Sequence, residues 1–545
     1  MKIHLIQTLA LALLLSVCYH GSTGFQTPTV IQGGMGIRVS SWELAREVSR
    51  QGELGVVSGT GMDTVFIRTL QLGDASGYLR RALATFPDQD MVARITDKYF
   101  VEGGKAVDKP FRSLPMWTVA PSQHLQEVTV LANYCEVWLA KHNDDGSPIE
   151  KGIVGINRLT KVQLPTLYSL YGAILADVDY VIMGAGIPLQ IPAALDNLSE
   201  GKDALFPVDV ESSEEKFVTK LSPVEIWSNA GKPDLVTMQL KRPAFIPIVS
   251  SVVLAQSMLK KASGKGPTKG IDGFVVELPT AGGHNAPPRG FKYDPAAKSH
   301  ALALNSNGEP IYNEMDEVDL EKFKKAAKGL PFWLAGSFAH SEKVKEVVEL
   351  GGAGVQVGTM FALAKESGLD PTIRDSILNS IAEHDMDVFT DPAASPTGYP
   401  FKVLEIDRTL SNPEVYQNRH RHCSLGYLRQ AYIDKQTGKL GYKCPAEPIK
   451  DYVKKGGEAD ATLGRKCLCN ALMANMGLPQ TRTIKETDAH KNALYTEEPL
   501  ITIGDEVNEC KRFLRQDDNG TWGYEAKDVV HYLKADLKPP AKQTV

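Results

Sequence analysis

Eight short apolar runs, nearly every one ending in glycine or a small polar residue, constrain this chain more than any other feature. They fall at residues 29–32, 54–58, 153–156, 180–183, 245–249, 274–278, 332–334 and 355–357, with amphipathic stretches between them. Runs this short and this apolar read as strands buried on both faces, and helical crossovers between them make neighbouring strands parallel. Eight such units predict an α/β chain folded as a (β/α)8 TIM barrel. A doubly wound open sheet is the alternative, and the strand count disfavours it.

The helical signals agree. Ser40-Ser41 caps a helix over 42–51, with Glu43 in its first turn and Arg50 in its last, as the macrodipole favours. A long insertion follows the second strand and contains a helix over 128–142. Insertions of that length at a functional face shape pockets.

At 545 residues the chain exceeds one ordinary core. The reading divides it into a signal-like segment (1–27), the barrel (28–365), a cysteine-bearing C-terminal extension (366–533) and a lysine- and proline-rich tail (534–545) expected to be disordered. In the first segment Lys2 and His4 precede an apolar stretch at 9–17, then Cys18 and Gly21-Ser22-Thr23-Gly24. That is the form of a secretory signal and too short for a membrane span. It points to export or organelle targeting, and without it the location would be cytoplasmic. No other run is apolar enough to cross a bilayer. A net charge of −5, with basic residues scattered, excludes the electrostatic footprint of a nucleic-acid partner.

In a barrel all strand ends converge on one face. Here they supply Gly33-Gly34-Met35-Gly36, Asn157-Arg158, Gly184-Ala185-Gly186, Gly282-Gly283-His284, Ala335-Gly336-Ser337 and Gly358-Thr359. The Gly184 element lacks the third glycine of a dinucleotide fingerprint and runs into Pro188. The ends after the seventh and eighth strands are where barrels bind phosphate through backbone N–H groups. A glycine bowl with a phosphate socket suits a flat, phosphorylated cofactor such as FMN. His284 is the candidate acid–base residue, because a neutral imidazole can take a proton α to a nitro group or donate one to an enolate.

Ile31-Gln32-Gly33-Gly34-Met35-Gly36 resembles the opening of the nitronate monooxygenase (2-nitropropane dioxygenase) family. So do Gly282-Gly283-His284, Leu334-Ala335-Gly336-Ser337 and the stretch from Gly354 through Gln356, Gly358 and Thr359 to Phe361. Flavin-dependent enoyl reductases, including those of polyunsaturated-fatty-acid synthases, share the superfamily. The resemblance implies FMN, with Gly33, Gly34 and Met35 along the isoalloxazine and Asn157 near the ring or ribityl chain. Gly184, Gly282, Gly283 and Gln356 complete the bowl, and Ala335, Gly336, Ser337, Gly358 and Thr359 take the phosphate. His284 becomes the catalytic base beside the flavin.

Two positions depart from that pattern. Seven and four residues before the histidine the family usually carries glutamine and glutamate, where this chain has Glu277 and Thr280. A diproline loop, Asn285-Ala286-Pro287-Pro288-Arg289-Gly290, follows the histidine. Arg289 is read either as an anchor for that loop or as a contact for an anionic substrate.

In the extension Cys423, Cys444, Cys467 and Cys469 could bind zinc or an iron–sulfur cluster, although C-x-C is a poorer signal than paired C-x-x-C. Reduced structural thiols are the simpler reading, and in an exported chain disulfides become an option. The resulting expectation is an FMN-dependent oxidoreductase that oxidises alkyl nitronates with O2. The alternatives are an NAD(P)H-dependent enoyl reductase and a flavin- or metal-binding subunit of a multienzyme complex. A homodimer is compatible with the sequence.

Overall fold

A computed structural model describes residues 26–229, 231–289, 293–294, 299–300, 302–484 and 494–537. The signal-like segment therefore lies outside the described residues, apart from 26 and 27. The eight apolar runs are the strands β1 (Val30–Gln32), β2 (Leu54–Ser58), β3 (Ile153–Leu159), β4 (Tyr180–Gly184), β5 (Ala244–Val249), β6 (Phe274–Glu277), β7 (Phe332–Ala335) and β8 (Gly354–Val357). They close into one barrel in the order β1-β8-β7-β6-β5-β4-β3-β2, every pairing parallel.

Alternation along the strands decides what the barrel holds. Ile31, Leu54, Val56, Ile153, Tyr180, Ile182, Ala244, Ile246, Val275, Trp333 and Ala335 point inward and pack as one enclosed cluster. The intervening residues point outward into a second, larger core under the helices. Helix α1 (Trp42–Arg50) starts where the sequence placed it, with Ser41 accepting the Leu44 N–H. Helix α2 (Gln123–Lys141) crosses the long insertion after β2 and is buried along almost its whole length.

Two features were not read from the sequence. A hairpin of Ala204–Val208 and Phe217–Leu221 lies between β4 and β5, its first strand alternating buried and exposed as a one-sided strand does. The extension is also no loose appendage. Its hydrophobic residues, Tyr427, Met473, Ile503, Val507 and Val530 among them, belong to the same buried cluster as the helices around the barrel. Residues 534–537, expected to be disordered, instead turn back onto the barrel. Lys534 pairs with Glu53 at 2.6 Å, and Leu537 N–H donates to the Lys534 carbonyl. Residues 538–545 lie outside the described residues. Among the described residues no helix is long and apolar enough to cross a membrane.

Candidate active site

The inward alternation continues one step past the enclosed cluster, and that step builds the floor of a cavity at the carboxyl ends of the strands. Two residues beyond Ile31 is Gly33, beyond Ile182 is Gly184, beyond Ile246 is Ile248 and beyond Val275 is Glu277; Asn157 on β3 and Gln356 on β8, paired in register with Ile182 and Ile31, join them. All line one cavity of about 1540 Å³, counting the space open to solvent.

Every cofactor residue expected from the sequence faces this one space: Gly33, Gly34, Met35, Asn157, Gly184, Gly282, Gly283, Ala335, Gly336, Ser337, Gln356, Gly358 and Thr359, with His284 beside them. Glycine is required at particular points. A Cβ on Gly34 would fall 2.0 Å from the Asn157 Cβ. Gly336 and Ser337 turn the chain after β7 through the left-handed region, with φ of +94° and +59°. Thr280 Oγ1 and Gln356 Oε1 are buried in the cavity wall without a hydrogen-bond partner, and such groups call for a ligand. Flat glycine walls, unsatisfied polar atoms and turns after β7 and β8 at one edge fit a phosphorylated flavin.

The roof comes from the extension, which sequence reading missed. Tyr427, Leu428, Leu468, Cys469, Leu472, Thr502, Ile503, Gly504 and Glu506 all line the cavity. Thr502 Oγ1 accepts from the Gly283 N–H at 3.0 Å, and Thr359 Oγ1 from the Gly504 N–H at 3.1 Å. A hairpin of β9 (Val388–Asp391) and β10 (Phe401–Leu404) runs along the histidine loop. Phe401 forms a β-bridge with His284, Lys402 N–H donates to the Gly283 carbonyl at 2.9 Å, and Asn285 N–H donates to the Pro400 carbonyl at 3.0 Å. Ser395, in the turn of that hairpin, places its Oγ 2.7 Å from His284 Nε2. The Phe401 ring meets the imidazole edge to face at 4.8 Å.

Burial pushes the His284 imidazole well below the usual histidine pKa, and the nearby Lys161 ammonium pushes it further. It is therefore neutral at physiological pH. Burial lifts the Glu277 carboxyl up to about 7 against the pull of Lys161. Lys161 is itself lowered to about 7 by burial, with Glu277 opposing. Its Nζ is sealed from solvent, has no hydrogen-bond partner and lies 3.4 Å from the centre of the Tyr399 ring. At the opposite edge Glu506 lines the cavity and approaches the Ala339 N–H at 3.3 Å; burial raises its pKa.

One expectation is corrected, and one pair of alternatives is decided in favour of the loop anchor. Cys423, Cys444, Cys467 and Cys469 are free thiols, and among the described residues no group of three or more histidine, cysteine, aspartate or glutamate side chains is placed to hold a metal. Burial raises the pKa of all four, which keeps them protonated. Arg289 is a loop anchor. Its guanidinium donates to the carbonyls of Met315 (2.7 Å) and Ser250, its own N–H donates to Asp316, and it does not line the main cavity. Nothing in the local sequence marks Ser395 or Lys161. Glu277 carries a signal, because alternation from Val275 turns it inward.

Residues 218–438 match the model of the nitronate monooxygenase family. That span holds β5 to β8, His284, the turns after β7 and β8 and the β9–β10 hairpin. No curated protein matches the chain. Among solved structures, FabK from Thermotoga maritima is similar over 72% of this chain and 73% of its own, at 17% identity and a TM-score of 0.32. A nitroalkane oxidase from Streptomyces ansochromogenes covers 94% of this chain and 95% of its own, at 12% identity and a TM-score of 0.37. The enoyl reductase domain of MlnA from the macrolactin cluster of Bacillus amyloliquefaciens covers 93% and 94%, at 12% identity and a TM-score of 0.42. Likeness at that level carries no argument about activity.

Proposed function

We propose that this chain is a flavin-dependent oxidoreductase of the nitronate monooxygenase kind that oxidises alkyl nitronates with O2 on bound FMN, a reading supported by the family match over residues 218–438 and by the closed (β/α)8 barrel. The observation that carries this reading is the one cavity into which Gly33, Gly34, Gly184, Gly282, Gly283, Gly336 and Gly358 open together with Asn157, Gln356 and His284. Bound FMN would supply the two-electron acceptor and the reactivity toward O2 that no side chain provides.

The protein's own groups do the rest. Gly33, Gly34 and Met35 would pack along the ring system, with Asn157 and Gln356 offering amides to its polar edge. The loops at Gly336-Ser337 and Gly358-Thr359 would hold the phosphate. His284, neutral and fixed by Ser395, would hydrogen-bond a nitronate oxygen. A nitronate is already an anion, so its oxidation needs no base. The roof from the extension would exclude bulk water from the reacting carbon.

One observation favours a second reading. Ile37, Val39, Leu428, Leu468 and Leu472 form an apolar side of the cavity, which suits a hydrocarbon arm such as that of an enoyl compound reduced by NAD(P)H. Anaerobic stopped-flow reduction of the FMN-loaded protein separates the two. Bleaching by propyl nitronate and not by NADPH is the expected result. Bleaching by NADPH alone would move the protein to the reductases, and failure to bind FMN would remove both readings.

A further inference from the structure

The family match ends at residue 438, but the cavity wall goes on beyond it. A helix of the extension, Leu468–Ala474, brings Leu468, Cys469 and Leu472 to the cavity, and the oxidation of a small nitronate makes no use of them. Resting on the nitronate reading above, we propose that this helix is the wall that recognises the substrate's hydrocarbon tail. The protein would then select nitronates with an unbranched chain of several carbons over short ones.

Leu468 and Leu472 stand four residues apart and so share one face of the helix. Every residue of the helix is buried except Leu472. An apolar side chain left partly open in a cavity, on a helix otherwise enclosed, is area that an apolar ligand removes from water. Leu428, also half-buried, lines the same cavity. Buried amides keep this wall in place. Asn470 Nδ2 donates to the Glu497 carboxylate at 2.8 Å, while its Oδ1 accepts from the Ser424 hydroxyl at 3.1 Å. Asn475 closes the other end, its Nδ2 donating to the Leu500 carbonyl at 2.7 Å and its Oδ1 accepting the Leu500 N–H at 3.1 Å. A wall fixed this way discriminates by shape instead of yielding to whatever enters.

The ends of the helix set the direction of the tail. Just before it, Arg465 Nη1 donates to the Ser395 carbonyl at 2.6 Å and Lys466 N–H to the Ala394 carbonyl at 2.9 Å. Ser395 is the residue whose Oγ lies 2.7 Å from His284 Nε2, so the helix starts beside the histidine. Leu468 also belongs to the buried cluster of Phe401, whose ring meets the imidazole. Just after the helix, the Asn475 carbonyl accepts the Asp370 N–H at 2.7 Å, and Gly368 N–H donates to the Val39 carbonyl at 3.0 Å. The helix therefore ends toward Ile37 and Val39, the apolar residues that line the cavity after β1. Leu472 stands about 6 Å along the axis from Leu468. A nitronate whose anion meets His284 would lay its tail past Leu468 and over Leu472 toward that loop.

The test measures kcat/KM of the FMN-loaded protein for the nitronates of nitroethane, 1-nitrobutane and 1-nitrohexane. The value should rise about fourfold per methylene, the worth of burying one. Leu472→Ala should flatten that rise, and Leu472→Trp, which fills the space over the wall, should end it at a shorter chain. A folding defect would lower every member of the series alike and leave the slope intact. Equal values across the wild-type series, or a slope that neither substitution alters, overturns the proposal and leaves these leucines as packing for the flavin. A second readout needs neither turnover nor flavin: calorimetric titration with acetate, butanoate and hexanoate, whose planar two-oxygen anions resemble a nitronate. Kd should fall by about the same factor per methylene, and less steeply in Leu472→Ala. A Kd that ignores chain length, or no binding of hexanoate, defeats the assignment. Should no nitronate be turned over, the nitronate reading has failed, and the carboxylate series still decides whether this helix reads a hydrocarbon chain.

Discussion

His284 owes its orientation to a hydroxyl 111 residues further along the chain, and this explains the uneven legibility of the site. Glycines at strand ends announce themselves because the backbone needs them there, whatever surrounds them. Ser395 and Lys161 act only through the fold, so their own neighbourhoods in sequence look ordinary. Glu506 is a third such residue and gives a prediction of its own. Its carboxyl sits at the cavity edge proposed for the FMN phosphate, with Lys343, Glu509, Arg512 and His340 around it. Burial raises its pKa, so it is neutral at low pH and becomes a repelling anion as pH rises through that value. FMN affinity should therefore weaken with rising pH. Glu506→Gln should tighten binding at the alkaline end and flatten the profile, apart from the phosphate's own titration. Fluorescence titration of FMN across pH checks this, and a variant with an unchanged profile would place the phosphate elsewhere.

At the scale of elements, the eight strands were legible because each is a buried run with an abrupt glycine stop, and period-two alternation assigned their inward faces. The β9–β10 hairpin was not, since its strands of four residues borrow their stability from what they touch. Lys402, buried on β10, bonds Thr390 on β9 at 2.8 Å and pairs with Asp505 at 2.8 Å, so the hairpin is clamped to the segment that crosses the cavity. That segment meets the histidine loop backbone to backbone. A Cβ on Gly282 would fall 2.8 Å from Gly504 N, where no flexible side chain can give way. Gly282→Ala should thus push the roof off the loop, at a cost of about 1–3 kcal/mol, which is typical of overpacking. A thermal melt lowered by several degrees, with Gly283→Ala as the open-space comparison, is the expected result; Gly283 has nothing within 4 Å of its Cβ position but carries a positive φ of its own, so its loss reports strain alone.

The whole molecule closes on itself at both faces of the barrel. At the amino-terminal face Glu53 accepts the N–H groups of Thr29 and Val30, each at 2.8 Å, and pairs with Lys534 beyond the last helix, Ala526–Leu533. At the carboxyl face the extension roofs the cavity and shares the barrel's outer core. Sequence reading divided the chain near residue 365 because eight strands suffice for a barrel, and a strand count does not reveal which apolar helix faces still require cover. A chain ending at Lys365 would expose the surface that Tyr427, Ile503, Val507 and Val530 bury, and it would lose both the His284 hydrogen bond and the Thr502 contact to Gly283. Apolar area of that kind costs about 25 cal/mol per Å² when returned to water, which a marginally stable fold cannot absorb over a broad interface. The full chain should therefore unfold in one calorimetric transition, and the shortened chain should be insoluble or melt without cooperativity. Two resolved transitions, or a soluble truncated barrel with a sharp melt, would show that the extension folds on its own and that the roof is a separable part.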